Sequence, residues 1–490
     1  MAGVYGKLQE RIRELDALTQ AMGVLEWDHQ THMPPGGSAG RGQQMGTLAA
    51  IKHRRLADPV VGEWLDALEG SEDPGVAATL RNARRAYTHA TAVPSALVSA
   101  LSEATTAGHG AWMAAREAND FAPFAPALER LVDLIRQQVA CLGEAEHPYD
   151  LLLEQYDPGS TVAALRPMFS RLAGELSGVI DEAIARPRPP ALSLHVPLAP
   201  MKAINRSVVS ALGFSMDRGR LDEAEHPFTL GVTPGDVRLT THYHLDNLLS
   251  TLSGTIHETG HGLYEQGLPA RPGTWTNTAA GMGLHESQSR FWENCIGRSL
   301  PFCRWLVTVL DAEHPSHGLT AEAIFGAANR VSRSLIRIAA DESTYNLHIL
   351  VRFELELALL TGELAVADLP EAWDDAYARI VGIRPDAPRA GVLQDVHWSA
   401  GLLGYFPSYT IGNLYAASFR YTIEEAIPDL WTQVEAGEFG AVLSWLRDNV
   451  HRHGHMMDAP DIFAAAVGDR DPVADLITHL RARQEQVSAL

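Results

Sequence analysis

Five residues constrain this chain more than any others: His257-Glu258-Thr259-Gly260-His261. Side chains four apart share a face on a helix, so the pattern asks for a helix through residue 261. The flanks agree. Leu248, Leu249, Leu252 and Ile256 lead in, Leu263 follows, and Gly267 with Pro269 beyond it supplies a stop. Two imidazoles on one helical face can reach a single metal ion. Glu258, next to the first, can act as general base toward a water that such an ion activates. The plain alternative is an exposed helix face that happens to carry His and Glu.

The rest of the chain reads as mostly helix. Leu8, Ile12, Leu15, Leu18, Met22 and Leu25 fall at spacings of three and four, one continuous apolar face. Similar stripes run through Leu97–Met113, Leu128–Ile135 and Leu165–Ile180, and again after residue 320. Arg186–Pro200, with five prolines, is the clearest helix-poor connector and marks a boundary between two helical lobes. Phe228–Tyr243 is the best strand candidate, with Val237, Leu239 and Thr241 alternating after a Pro-Gly turn. At 490 residues the chain can bury a large core without disulfides. Its three cysteines, Cys141, Cys295 and Cys303, have no metal-site spacing and point to a reducing cytoplasm, with Cys295 and Cys303 as buried small apolar residues. A net charge of -21 disfavours nucleic acid and anionic membrane surfaces as partners. No stretch reaches the roughly 18 apolar residues of a membrane span, and the charged N-terminus has no secretory h-region.

A hydrolytic zinc site needs a third protein ligand and one open position. A metzincin would place Gly at 264 and His at 267, but this chain has Tyr264 and Gly267. Glu286, on a second helix beyond the loop Leu268–Asn277, is the candidate, and His285 and Glu293 compete with it. Glu293 also suits an outer partner that orients a ligand. Three further segments carry chemistry. Arg337 and Asp341 are four apart, which fits a helix-surface pair or a guanidinium that grips a carboxylate. Asp236 and Arg238 alternate on one strand, read as a solvated edge or as an edge lining a cleft. His397, Tyr405 and Tyr409 could pack structurally or donate hydrogen bonds to an oxyanion.

Together these segments resemble the carboxypeptidase Taq family of metallocarboxypeptidases. The family's motifs DxRxT, HExxH, HES/GQ, (I/V)RxxAD and GxxQDxHW appear in order as Asp236–Thr240, His257–His261, His285–Gln288, Ile336–Asp341 and Gly391–Trp398. The likeness extends to Val24–Asp28, Met33–Gly37 and Pro148–Asp150, and so spans almost the whole chain. It implies a mainly α, gluzincin-like peptidase with a long deep substrate groove, a small β-sheet beside the HExxH helix and a homodimeric state. By motif position it implies His257, His261 and Glu286 as metal ligands, Glu258 as catalytic base and Arg337 as the grip on a terminal carboxylate. The region of His397, Tyr405 and Tyr409 should face the metal.

The expected activity is a Zn2+-dependent carboxypeptidase, with Co2+ or Mn2+ as alternative ions, releasing single residues from peptides with a free C-terminal carboxylate. Arg337, with Arg420, would hold that carboxylate, and Asp236 and Arg238 join as substrate-binding residues. The whole chain, residues 1–490, would be one catalytic unit. Two other readings stand beside it: an oligopeptidase or dipeptidyl carboxypeptidase, and a non-catalytic helical scaffold that keeps a metal site. An intact Glu258 argues against the scaffold, because a structural site needs no base.

Overall fold

The computed structural model describes residues 2–490. It is 69% helical, with twenty α-helices and one three-stranded sheet. The apolar stripes become buried helix faces. Leu8, Ile12 and Leu15 lie inward on the helix Ala2–Thr31, and Leu165, Phe169, Leu172, Leu176, Val179 and Ile180 do the same on Val162–Ala185. Thr161 caps the latter helix by accepting from Ala164 N, and Pro187 follows its end. Ser95–Ala118 is also a helix, but its stripe is incomplete, with Met113 51% exposed.

The chain divides into two compact units, each built from three separate segments. One takes the chain up to Ala90, Pro189–Ala328 and Tyr415–Arg470; the other takes Thr91–Arg188, Asn329–Leu414 and Asp471–Leu490. The chain passes from one to the other between Arg188 and Pro189, inside the proline-rich connector. The first unit holds the sheet: β1 (Gly219–Glu223), β2 (Thr229–Thr233) and β3 (Asp236–Thr241). Their order is β1-β3-β2, with β1 parallel and β2 antiparallel to β3. Asp236 and Arg238 therefore sit on the central strand, and the expectation of an edge fails. The cause is β1, whose sequence Gly-Arg-Leu-Asp-Glu lacks the β-branched signature of a strand, yet it pairs with β3 from Val237 to Thr241.

The sheet packs on the helix Leu248–Gly267. Two glycines let neighbours approach this helix. A Cβ on Gly260 would lie 2.5 Å from Gln288 O, and one on Gly262 would lie 2.6 Å from Leu239 Cδ2. Gly260 thus admits the backbone of the helix Met282–Arg290, and Gly262 admits the sheet. The second unit is organised differently. Its helix Glu342–Thr361 is buried on nearly every side, and Asn346, His348, Arg352 and Glu356 are all enclosed, each with at least one side-chain polar atom hydrogen-bonded to a neighbour. No helix among the described residues is long and apolar enough to cross a membrane.

Candidate metal centre

Asn247 starts the helix Leu248–Gly267 by accepting from Ser250 N, and Leu252, Ile256 and Leu263 turn inward. That fixes where His257 and His261 emerge. Their ligand atoms and one from Glu286 all lie within 4.8 Å of one another. Glu286 Oε2 is 3.4 Å from His261 Nε2 and 3.7 Å from His257 Nε2.

The outer nitrogens decide which tautomer each ring adopts. His257 Nδ1 lies 3.0 Å from Glu293 Oε2, so Nδ1 donates and the Nε2 lone pair faces Glu286. Glu265 Oε1 accepts a hydrogen bond from His285 Nε2 at 2.9 Å, which leaves His285 Nδ1 as an acceptor. His261 Nδ1, 2.5 Å away, must then donate, and its Nε2 lone pair is also turned inward. Glu286 Oε1 accepts from Arg290 Nε at 2.7 Å. Two imidazole lone pairs and one carboxylate oxygen converging without a thiolate form a donor set suited to a zinc-like divalent ion.

Electrostatics agree. Burial, aided by His285, pushes His261 down to about 3, so it is neutral and able to ligate. Burial would raise the Glu286 carboxyl, but Arg290, His257 and His261 hold it well below the usual range. Burial would lower His257, yet Glu286 and Glu293 raise it, so a cation taken up here competes with a proton. Glu258, 7% exposed, is raised by burial, only partly offset by His257 and by the Thr229 hydroxyl.

His285 and Glu293, the two rivals for third ligand, both contact the far nitrogens of the histidines and not the converging ones. Glu293 lies in a π-helical stretch, Phe291–Gly297, and also accepts from Ser253, Arg290 and Arg298. On β3, Asp236 and Arg238 bind each other bidentately at 3.0 and 2.9 Å, and Arg238 lies over the Trp27 ring. Arg420 pairs with Glu424 at 3.1 Å and rests over Trp431 in the same unit.

Within the second unit, His397, Tyr405, Tyr409 and Arg337 come together. His397 Nε2 is 3.3 Å from the Tyr409 hydroxyl, Tyr405 packs edge-on to Tyr409, and the Arg337 guanidinium lies over the Tyr409 ring. Burial and Arg337 push His397 down to about 4, so it is neutral at physiological pH. Arg337 is only 6% exposed. It donates twice to Asp395 Oδ1 and once to the Tyr345 hydroxyl. The helix-surface pair with Asp341 does not form. Residues 337–339 are a short 3-10 turn, and Asp341 instead caps Glu342–Thr361, accepting from Ser343 N and Thr344 N.

Sequence reasoning missed Thr229, Glu265, Ser253, Arg290 and Arg298. Glu265 follows His261 by four, and Arg290 lies four after Glu286 and three before Glu293, so helical spacing carried a signal for both. Thr229 and Ser253 contact the site from other turns of chain and leave no such trace.

A model of the carboxypeptidase Taq (M32) metallopeptidases matches residues 7–484. Thermostable carboxypeptidase 1 of Thermus thermophilus is 39% identical, with 98% of each chain covered. Carboxypeptidase 1 of Bacillus subtilis is 34% identical over 96% of this chain and 95% of its own. The crystal structure of an M32 carboxypeptidase from Deinococcus radiodurans superposes with a TM-score of 0.96 at 35% identity, covering 100% of both chains.

Proposed function

The chain belongs to the carboxypeptidase Taq (M32) metallopeptidase family, and from that premise we propose how its residues divide the work of peptide hydrolysis. It is a metallocarboxypeptidase, a hydrolase acting on peptide bonds. His257, His261 and Glu286 would hold the divalent ion, and the observation that carries this reading is the convergence of their ligand atoms within 4.8 Å. When bound, the ion supplies a Lewis acid that makes water more acidic and polarises the scissile carbonyl. Zn2+ suits the donor set best, with Co2+ or Mn2+ as alternatives.

Glu258 accepts a proton from the attacking water and returns it to the leaving amine. His397, Tyr405 and Tyr409 carry the N–H and O–H donors that suit an oxyanion. Arg337 keeps an N–H on each terminal nitrogen beyond its bonds to Asp395 and Tyr345, which suits a substrate carboxylate, and Arg420 is its second. Asp236 and Arg238 join as substrate-binding residues on the strand packed against the metal-site helix. The whole chain, residues 1–490, is read as one catalytic unit. A homodimer and a cytoplasmic location complete the reading; the family resemblance supports the first and the sparse free cysteines support the second.

Glu258→Gln tests the assignment. Gln fills the same space and leaves the ligands in place but cannot take the proton, so turnover on free-acid peptides should fall on the order of 10²–10⁴-fold at full metal content. Wild-type kcat with metal bound would refute it. Mass spectra of the products separate single-residue release from dipeptide release, and a C-terminally blocked peptide separates both from internal cleavage.

A further inference from the structure

The Glu258 carboxylate has one side-chain hydrogen-bond partner among the described residues, and it comes from the sheet. Thr229 Oγ1 lies 2.7 Å from Glu258 Oε2 and 2.9 Å from the backbone oxygen of the same residue. One hydroxyl therefore touches both ends of Glu258 and ties its side chain to its own main chain. The oxygen left over is Oε1.

Thr229 is itself held firmly. It opens β2, paired with Leu239 of β3. The residue before it, Phe228, is clamped by Thr240: Thr240 Oγ1 accepts from Phe228 N at 2.7 Å, and Thr240 N donates to Phe228 O at 2.9 Å. Thr240 is fully buried and is the last residue of the DxRxT motif. Next to Thr240, Thr241 Oγ1 meets Thr255 Oγ1 at 2.7 Å, one helical turn before Glu258. Strand and helix are thus joined at the base and again one turn before it.

We propose that Thr229 is a positioning residue for Glu258: its hydroxyl fixes Oε2 and so presents Oε1 to the attacking water. This rests on Glu258 being the general base. A glutamate in a packed site has three side-chain torsions to restrain, and a misplacement of about 1 Å at a reacting group can cost about 10²-fold in rate. The spacing of 29 residues between Thr229 and Glu258 explains why the pair leaves no motif. Thr240 acts one step further out, by setting where β2 begins.

The test uses Thr229→Val, which keeps the β-branched shape and removes only the hydroxyl, and Thr229→Ser, which keeps the hydroxyl. T229V should lower kcat about ten- to a hundredfold with KM and metal content unchanged, and T229S should recover to within a few fold of wild type. Thr229→Ala is read in the same way should T229V fold poorly. Wild-type kcat in folded, metal-loaded T229V, or an equal loss in T229S, would overturn the proposal. E258Q tells the two claims apart. An active E258Q removes the base and with it any role for Thr229, whereas an inactive E258Q beside a fully active T229V removes only the positioning role.

Discussion

Glu286 and Glu293 sit seven residues apart, share Arg290 as a partner, and both lie beside His257, so they are the pair most easily confused. The geometry predicts that their removal has different consequences for metal affinity. Glu286 Oε2 faces both converging nitrogens, and its other oxygen neutralises Arg290. Glu286→Ala removes a ligand and also takes one carboxylate partner from Arg290, so the ion faces a less fully neutralised guanidinium. A unit charge pair at 4 Å in an effective dielectric of 20 is worth about 4 kcal/mol, or roughly three decades of affinity. Glu293 instead fixes the His257 ring through Nδ1. Glu293→Gln keeps an acceptor there, and losing such an outer partner typically costs about 10–100-fold, or about 1.4–2.8 kcal/mol. The assay is competition for Zn2+ against a chromophoric chelator at fixed pH, with folding checked by circular dichroism. E286A binding within tenfold of wild type, or E293Q binding more weakly than E286A, would move the ligand to Glu293 and refute the reasoning.

Two more outcomes follow from the second unit. Burial raises Glu356 to about 7 from 4.5, although the Tyr149 hydroxyl, Gly404 N and Trp398 Nε1 all donate to it, and this corresponds to about 3 kcal/mol of stability. The native state favours the proton, so that contribution is complete below about pH 4.5 and is lost as pH rises through 7; Glu356→Gln, which never ionises, should therefore gain on wild type over that window in urea melts, and a difference flat in pH would refute the shift. Arg337→Lys should lower kcat/KM about ten- to a hundredfold on free-acid peptides and much less on amidated ones, because Lys lacks the planar fork. Equal losses on both, with a lowered Tm, would assign Arg337 to holding Asp395 alone.

What the sequence made legible was whatever repeats along one helix. His257 and His261 could be proposed as ligands because a 3.6-residue period places them together, whereas the choice of Glu286 over His285 and Glu293 came from the family resemblance. The stripes at Leu8–Leu25, Leu128–Ile135 and Leu165–Ile180 could be named because each buries one face only. The helix Glu342–Thr361 hid its place at the heart of the second unit because it is enclosed on nearly every side, so no broad polar face alternates with an apolar one. β1 was missed because pairing to β3, and not its own composition, makes it a strand. The interleaving of the two units was illegible for a related reason: each unit joins three segments that lie far apart in the sequence.

The motif Gly391–Trp398 shows how much of a chemically loaded sequence is scaffolding. Gln394 accepts from Arg337 N and donates to Leu335 O and the Tyr377 hydroxyl. Asp395 is shared by Arg337 and Arg352, and those two cations hold its carboxyl well below the usual range against the effect of burial. Trp398 donates to Glu356. Three of the motif's polar side chains are thus fully engaged in fixing the loop, and His397 is the one that reaches Tyr409 and Tyr405. A buried charge stripped of its partner costs about 3–5 kcal/mol, so these anchors tolerate replacement as poorly as reacting groups do. Invariance of function under substitution therefore cannot separate the two classes here. A change in kcat at constant stability and metal content can, and that is why His397, Tyr405, Glu258 and Thr229 are residues to judge by rate, whereas Asp395, Gln394 and Glu356 are to be judged by melting.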